Sequence, residues 1–170
     1  MTVERGQTAR RITWGLVAGA AVGTAATLAA LSVVLRDPTP ALTPEIFRAE
    51  QALAKVAVPS DYDITIRVVG MQAATYRVEV RRGLAQTAWR NGHPLTSRRT
   101  FGTWSVPGMF STISRDIEAL ERRGAGRIDE STPELTLRAR FDPRFHYPAR
   151  YFRSERAIDV EWEVTEFTPR

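Results

Sequence analysis

From residue 62 onward, apolar and polar positions alternate in short runs. That period of two is the pattern of antiparallel strands with one buried face. Tyr62, Ile64, Ile66 and Val68 point one way, and Asp63, Thr65 and Arg67 the other. After a turn near Gly70-Met-Gln-Ala73, Tyr76, Val78 and Val80 alternate with Arg77, Glu79 and Arg81. Arg82-Gly83 is a tight turn into a third, less regular strand, Leu84 to Arg90, and Asn91-Gly92 is a further turn signal. His93 to Thr103 reads as a polar loop, and Arg127 to Thr132 as another. Leu135, Leu137, Ala139 and Phe141 alternate again until Asp142-Pro143 interrupts them. A short strand begins at Tyr151. In the last strand Ile158, Val160, Trp162 and Val164 face inward and Asp159, Glu161 and Glu163 outward.

Two segments switch to helical period. Thr43 is placed as an N-cap, with Pro44 in the first turn and Glu45 favourable beside it. This helix is expected to reach about Val56 and to bury Ile46, Ala49, Leu53 and Val56, with Pro59 beyond its end. In the second, Ser105 is the N-cap, Pro107 lies in the first turn, and Phe110, Ile113, Ile117 and Leu120 form the buried stripe. Arg122 and Arg123 suit its C-terminus, which Gly124 closes. The expected fold is α+β: one twisted antiparallel sheet of about six strands with two helices packed on it, in the order α-βββ-α-βββ.

The N-terminal part has a different pattern. Ile12 to Leu35 is 24 residues without a charge, and a helix of that length rises about 36 Å, enough to cross a hydrocarbon core of about 30 Å. Arg5, Arg10 and Arg11 precede it and only Arg36 follows closely. The positive-inside rule then predicts a cytoplasmic tail at 1–11, a membrane helix at 12–35 in the inner membrane, and export of the remainder. Residues 37–44 carry three prolines, so 36–43 reads as a stiff spacer, with an extracytoplasmic domain at 44–170. A cleaved signal peptide is the rival: its apolar core is shorter, and Thr27 and Ala29 offer only a poor cleavage site. Ala9-Arg-Arg-Ile-Thr-Trp14 also resembles a twin-arginine signal, with Ala where that motif has Ser or Thr. Every version exports the domain. Gly15, Gly19 and Gly23 share one helix face, which fits pairing of two membrane helices into a homodimer. It equally fits a weakly hydrophobic anchor in which Gly, Ala and Thr are simply abundant.

Charge and composition narrow the chemistry. The 170 residues carry a formal charge of +5, but without residues 1–36 there are 20 basic against 18 acidic side chains. All the basic residues but Lys55 are Arg. The excess belongs to the membrane flanks, and an exported domain is no partner for nucleic acid. The absence of Cys excludes disulfides, thiol nucleophiles and Cys-ligated metals. With only His93 and His146, a multi-His centre is excluded too. No cofactor is expected.

Four stretches carry a family resemblance. They are Tyr76-Arg-Val-Glu-Val-Arg-Arg-Gly83, Val106-Pro-Gly-Met-Phe-Ser-Thr-Ile113, Phe141-Asp-Pro-Arg-Phe-His-Tyr-Pro148 and Ile158-Asp-Val-Glu-Trp-Glu-Val164. Across about residues 60–167 the chain resembles a family of uncharacterised bacterial envelope domains, found as small lipoproteins or secreted proteins. Members often have a Cys pair in the first hairpin, which this chain lacks, so no redox role carries over. The family's aromatic-Gly-Tyr-Pro turn reads Phe145-His146-Tyr147-Pro148 here. The resemblance implies a location, a fold and a structural turn at Asp142, Pro143, Tyr147 and Pro148, and no activity.

Asp142, His146 and Ser154 could in principle form a Ser-His-Asp set, but no nucleophile elbow or glycine-rich oxyanion loop accompanies them. Asp142-Pro143 is more simply turn chemistry, and His146 in a glycine position suits a backbone with positive φ. A two-His metal site needs the loops of His93 and His146 to meet. Asp159, Glu161 and Glu163, with Glu166 nearby, could supply a glycosidase acid and base, or form a solvated face balanced by Arg on the next strand. Arg98-Arg99, Arg122-Arg123, Arg138 and Arg140, with Trp104 and Tyr151, could form a basic surface for acidic envelope polymers or lipid head groups. Trp89, Trp104 and Trp162 are expected in or beside the core. The expectation is a membrane-anchored, non-catalytic binding or accessory module whose partner is another envelope protein or an envelope polymer. Its alternatives are a hydrolase using Asp142 or the Asp159/Glu161/Glu163 carboxylates, and an assembly component paired through its membrane helix.

Overall fold

Two type I′ turns set the first half of the sheet. Arg82 and Gly83 (φ 54° and 74°) link β2 (Ala74–Arg81) to β3 (Leu84–Arg90), and Asn91 and Gly92 (φ 52° and 80°) link β3 to β4 (His93–Pro94). Both hairpins therefore close with the twist their strands require. The computed structural model describes residues 39–70, 72–125, 134–156 and 158–170, apart from the side chains of Arg98 and Arg99. The expected cytoplasmic tail 1–11, the expected membrane segment 12–35 with Gly15, Gly19 and Gly23, the start of the spacer at 36–38 and the loop at 127–132 lie outside the described residues. Among these, no helix is long and apolar enough to cross a membrane.

β1 (Tyr62–Gly70), β5 (Leu135–Phe141), β6 (Pro148–Glu155) and β7 (Ile158–Pro169) complete one antiparallel sheet in the order β4-β3-β2-β1-β7-β6-β5. Two meanders thus join at their first and last strands, β1 and β7. The α+β class stands, with seven strands where about six were expected. The added one is β4, where the polar pattern suggested only loop: Asn91-Gly92 turns the chain back so that His93 and Pro94 pair with Arg90 and Trp89. A helical turn (Arg98–Phe101) and a 3-10 turn (Gly102–Trp104) occupy the rest of that segment.

One face of the sheet carries the core: Tyr62, Ile64, Ile66, Val78, Val80, Leu137, Tyr151 and Trp162 are all buried. Against it pack α1 (Pro44–Ala57) and α2 (Val106–Gly124). Each starts on a hydroxyl cap. Thr43 Oγ1 accepts the Ile46 amide at 3.3 Å, and Ser105 Oγ accepts the Gly108 amide at 3.3 Å. α2 buries Phe110, Ile113 and Ile117 as its stripe predicts, with Leu120 partly buried.

α1 does not bury the stripe expected of it. Phe47 and Ala54 are its buried residues, while Ile46, Leu53 and Val56 are 44%, 49% and 89% exposed and Ala49 is exposed as well. The Phe47 ring stands 5.9 Å from Phe110, so the buried face is the one whose aromatic side chain meets a ring of α2. At about 100° per residue, the face that seats Phe47 turns Ile46, Leu53 and Val56 outward. Glu50 fixes the same rotation through a 2.9 Å contact with His146 Nδ1.

Part of the proline-rich stretch belongs to the fold. Ala41 bridges to Arg138, Leu42 N–H donates to the Leu137 carbonyl at 2.9 Å, and Ala139 N–H donates to the Pro40 carbonyl at 3.1 Å. Thr39 and Leu42 are buried. Residues 39–42 therefore cover the outer edge of β5, which would otherwise present unpaired backbone groups.

Candidate functional site

Two chain segments that the strands bring together form a cleft at one end of the helical layer. Gln51, Ala54 and Lys55 from the C-terminal half of α1, with Val58 just past its end, supply one wall, and Val106, Pro107 and Phe110 the other from the first turns of α2. Pro59, Ser60 and Tyr62 line its base on the way into β1, and Gly83 closes one side. Its volume is about 370 Å³.

The walls are mainly apolar, with Lys55, Gln51 and Ser60 as the polar exceptions. The base is rigid for identifiable reasons. Tyr62 is 2% exposed, and its hydroxyl accepts the Val106 amide N–H at 3.0 Å, tying β1 to the start of α2. Burial pushes this phenol up to about 12, so it is a neutral hydrogen-bonding group at any ordinary pH. Gly83 N–H donates to the Ser60 carbonyl at 2.8 Å, and the Asp61 carboxylate accepts from Ser60 Oγ at 2.7 Å and from the Arg82 amide at 3.2 Å. Those two bonds hold the Asp61 carboxyl below its ordinary value. The cleft can receive an apolar side chain or short chain bearing an acceptor or anionic group for Lys55.

The residues singled out in the sequence lie elsewhere. Asp142 caps the β5–β6 turn: its Oδ1 accepts the Arg144 and Phe145 amides at 2.9 and 2.7 Å. His146 has φ 58° and donates its backbone N–H to the Asp142 carbonyl at 2.9 Å. Burial, and then the neighbouring Asp142 carboxylate, push the Tyr147 phenol up to about 12. Tyr147 and Pro148 are buried behind this turn, and Pro143 is exposed on it. Ser154 stands at the far end of β6 from Asp142 and His146, so the three are not brought together. His93 and His146 lie at opposite edges of the sheet, and among the described residues no metal-binding cluster forms.

The acidic strand β7 meets arginines across the outer face of the sheet. Glu163 pairs with Arg67 at 2.9 Å and with Arg140 at 4.0 Å, and Glu161 pairs with Arg150 at 2.7 Å. Asp159 is exposed beside Ser154, and Glu166 accepts from the Thr168 hydroxyl at 3.5 Å. The candidate basic surface is divided. Arg138 and Arg140 alternate with the buried Leu137 and Ala139 and so belong to the outer face, whereas Arg123 joins Glu155 beside α2. Arg122 is exposed, and the side chains of Arg98 and Arg99 lie outside the described residues.

Behind α2 a partly buried polar cluster ties helix to sheet. Tyr151 donates to Asp116 Oδ2 at 2.8 Å, and Arg153 donates to Asp116 Oδ1 at 3.0 Å and bridges to Glu155. Burial, with Asp116 adding to it, pushes the Tyr151 phenol far above its ordinary value. Trp162 is buried edge-on to Trp104, Trp104 is half-buried against Tyr76, and Trp89 lies on the outer face under Arg77.

Sequence reasoning did not find the cleft. Its lining comes from residues 51–62, 83 and 106–110, and no motif or local spacing links those segments; the only sequence sign was that each helix begins or ends beside a proline. No known protein family, no curated protein and no solved structure matches the chain.

Proposed function

We propose that the chain is a membrane-anchored, extracytoplasmic, non-catalytic binding module of the bacterial cell envelope, with the cleft between α1 and α2 as its binding site. The observation that carries this reading is the cleft: about 370 Å³, apolar-walled, with Lys55 at its side. The uncharged run 12–35 and its arginine flank support anchoring in the inner membrane with the N-terminus in the cytoplasm. The cleft's chemistry favours an apolar segment of another envelope protein over a polysaccharide, which would leave its hydroxyls unpaired against such walls. The envelope-domain resemblance agrees with this location.

The test is cross-linking capture of the full-length protein from membranes. Wild-type chain should recover a partner that Lys55→Glu and Pro107→Trp lose, while Gln86→Glu on the exposed part of β3 keeps it. Partners insensitive to the cleft variants, and lost only when residues 1–36 are removed, would move the function to the membrane segment. Turnover of an envelope ester, amide or glycoside that Asp142→Asn or Glu161→Gln abolishes would replace the binding reading with a hydrolase.

A further inference from the structure

α1 presents two apolar stripes, and the fold uses one. Phe47 and Ala54 turn into the core. Ile46, Ala49, Leu53 and Val56, at spacings of three, four and three, form a second stripe that nothing among the described residues covers. Val56 is 89% exposed and Leu53 49%, and it is their alignment on one helix face, rather than the exposure of either alone, that makes a patch. The sheet also exposes Val69, Leu84 and Ile158, but each stands on a different strand, whereas α1 lines up its exposed apolar residues along one helix face.

The length of chain before the fold says what covers this stripe. Leu35 ends the uncharged run and Thr39 is already seated on the edge of β5, which leaves Arg36, Asp37 and Pro38 between them. Three residues span about 10 Å at full extension. α1 begins five residues after Thr39. For a chain anchored by residues 12–35, so short a connection limits how far the start of α1 can be from the bilayer surface. An amphipathic helix lying in the interface plane buries its apolar face by about 5–10 Å among the head groups, and Ile, Leu and Val at these spacings suit that depth.

We propose that the outer stripe of α1 — Ile46, Ala49, Leu53 and Val56 — rests on the lipid surface into which the chain is anchored, fixing the orientation of the domain and of the cleft beside it. This rests on the anchor reading above.

Because the chain has no Cys, single spin labels report on it without background. Full-length Val56→Cys, Leu53→Cys, Gln86→Cys and Ala21→Cys are labelled and reconstituted in phosphatidylethanolamine/phosphatidylglycerol vesicles. Collision with oxygen is compared with collision with a water-soluble nickel chelate. The labels at 53 and 56 should show a several-fold rise in the oxygen-to-nickel ratio over the label at 86. A label at 56 as open to nickel as the one at 86, with the label at 21 lipid-shielded, overturns the inference and leaves the anchor intact. A label at 21 open to nickel overturns the anchor reading and the inference with it. Shielding at 56 from both probes, with dipolar broadening between labels, means that a second copy covers the stripe, and this too overturns the lipid contact. The exposure of residue 56 makes its cysteine variant neutral for folding, and Leu53→Cys provides the second position.

Discussion

α1 and α2 begin alike, with a hydroxyl cap and a proline in the first turn, and both are amphipathic. They differ in what the rest of each helix is made of. α2 has one apolar stripe, and its other side exposes Ser111, Arg115, Glu118, Glu121 and Arg122. Only one rotation about its axis buries Ile113 without burying charge. α1 has two apolar stripes, and the spacing of Ile46, Ala49, Leu53 and Val56 is the more regular of the two. The core takes the other, because Phe47 finds Phe110 and Glu50 finds His146. Periodicity identifies a helix, but it identifies the inward face only where the opposite face is polar.

The largest effect should come from reversing that choice. Phe47→Ala removes a buried ring between α1 and α2 and should destabilise the fold by about 3–5 kcal/mol. Leu53→Ala, on the outer stripe, should change it by less than about 0.5 kcal/mol in the absence of lipid. Urea unfolding of both variants in the same detergent compares them directly, and equal costs would break the distinction between the stripes.

The start of α2 offers a second comparison. A Cβ on Gly108 would lie 1.9 Å from the Gly102 carbonyl oxygen and 2.6 Å from that of Thr103. Alanine is ordinarily preferred to glycine in a helix by about 1 kcal/mol. Here Gly108→Ala should instead cost about 1–3 kcal/mol, because backbone rather than a movable side chain must give way. A stabilised variant would show that the 3-10 turn at Gly102–Trp104 is not packed on α2. The same close approach bears on the cleft, since Val106 and Pro107 precede Gly108 on its wall.

How much of this was legible in the sequence follows from the range of the interactions involved. The alternation of Tyr62 to Val68 and Tyr76 to Val80, the Arg82-Gly83 and Asn91-Gly92 turns and the α2 stripe depend on neighbours within a few residues, and all appear in the fold. The positive φ of His146 was expected because it stands where the family that the chain resembles has Gly. The rotation of α1 depended on residues 63 and 96 positions away, Phe110 and His146. The pairing of residues 39–42 with β5 joined segments about a hundred residues apart, and prolines that read as a spacer gave no hint of it. The cleft needed both meanders in place. Asp63 is the same lesson in miniature: alternation sets it on the outer face, yet it is only 8% exposed, because Arg81 from β2 and Arg170 from beyond β7 close over it.

That closure makes Asp63 sensitive to acid. Burial acts to raise its carboxyl, but the Arg170 and Arg81 guanidinium groups outweigh it and hold the group below its ordinary 3.8. The unfolded chain therefore binds this proton more readily. The stabilisation is complete above about pH 4 and is lost as pH falls through the lowered folded value. Asp63→Asn should cost about 1–2 kcal/mol at neutral pH and flatten the decline of stability below pH 4. Denaturant titrations at pH 7 and pH 3 measure both, and an unchanged acid slope would assign that decline to other carboxylates held low, such as Asp61 and Glu155.

The smallest effect is expected on the outer face of the sheet, and it sharpens the contrast with α1 most. Arg67 and Glu163 meet at 2.9 Å, but the Arg67 side chain is 59% exposed. Such a pair should show a coupling of about 0.2–1 kcal/mol in a double-mutant cycle, falling further in high salt as the charges are screened. A sheet face built of weak, solvated pairs is at ease in water and asks for no cover. The outer stripe of α1 has no such polar groups to offer the solvent. If the Arg67–Glu163 coupling in the full-length, membrane-bound chain exceeded about 2 kcal/mol and ignored salt, the sheet's outer face would be the shielded one, and the place where a partner docks would move from the helical side of the fold to the opposite side.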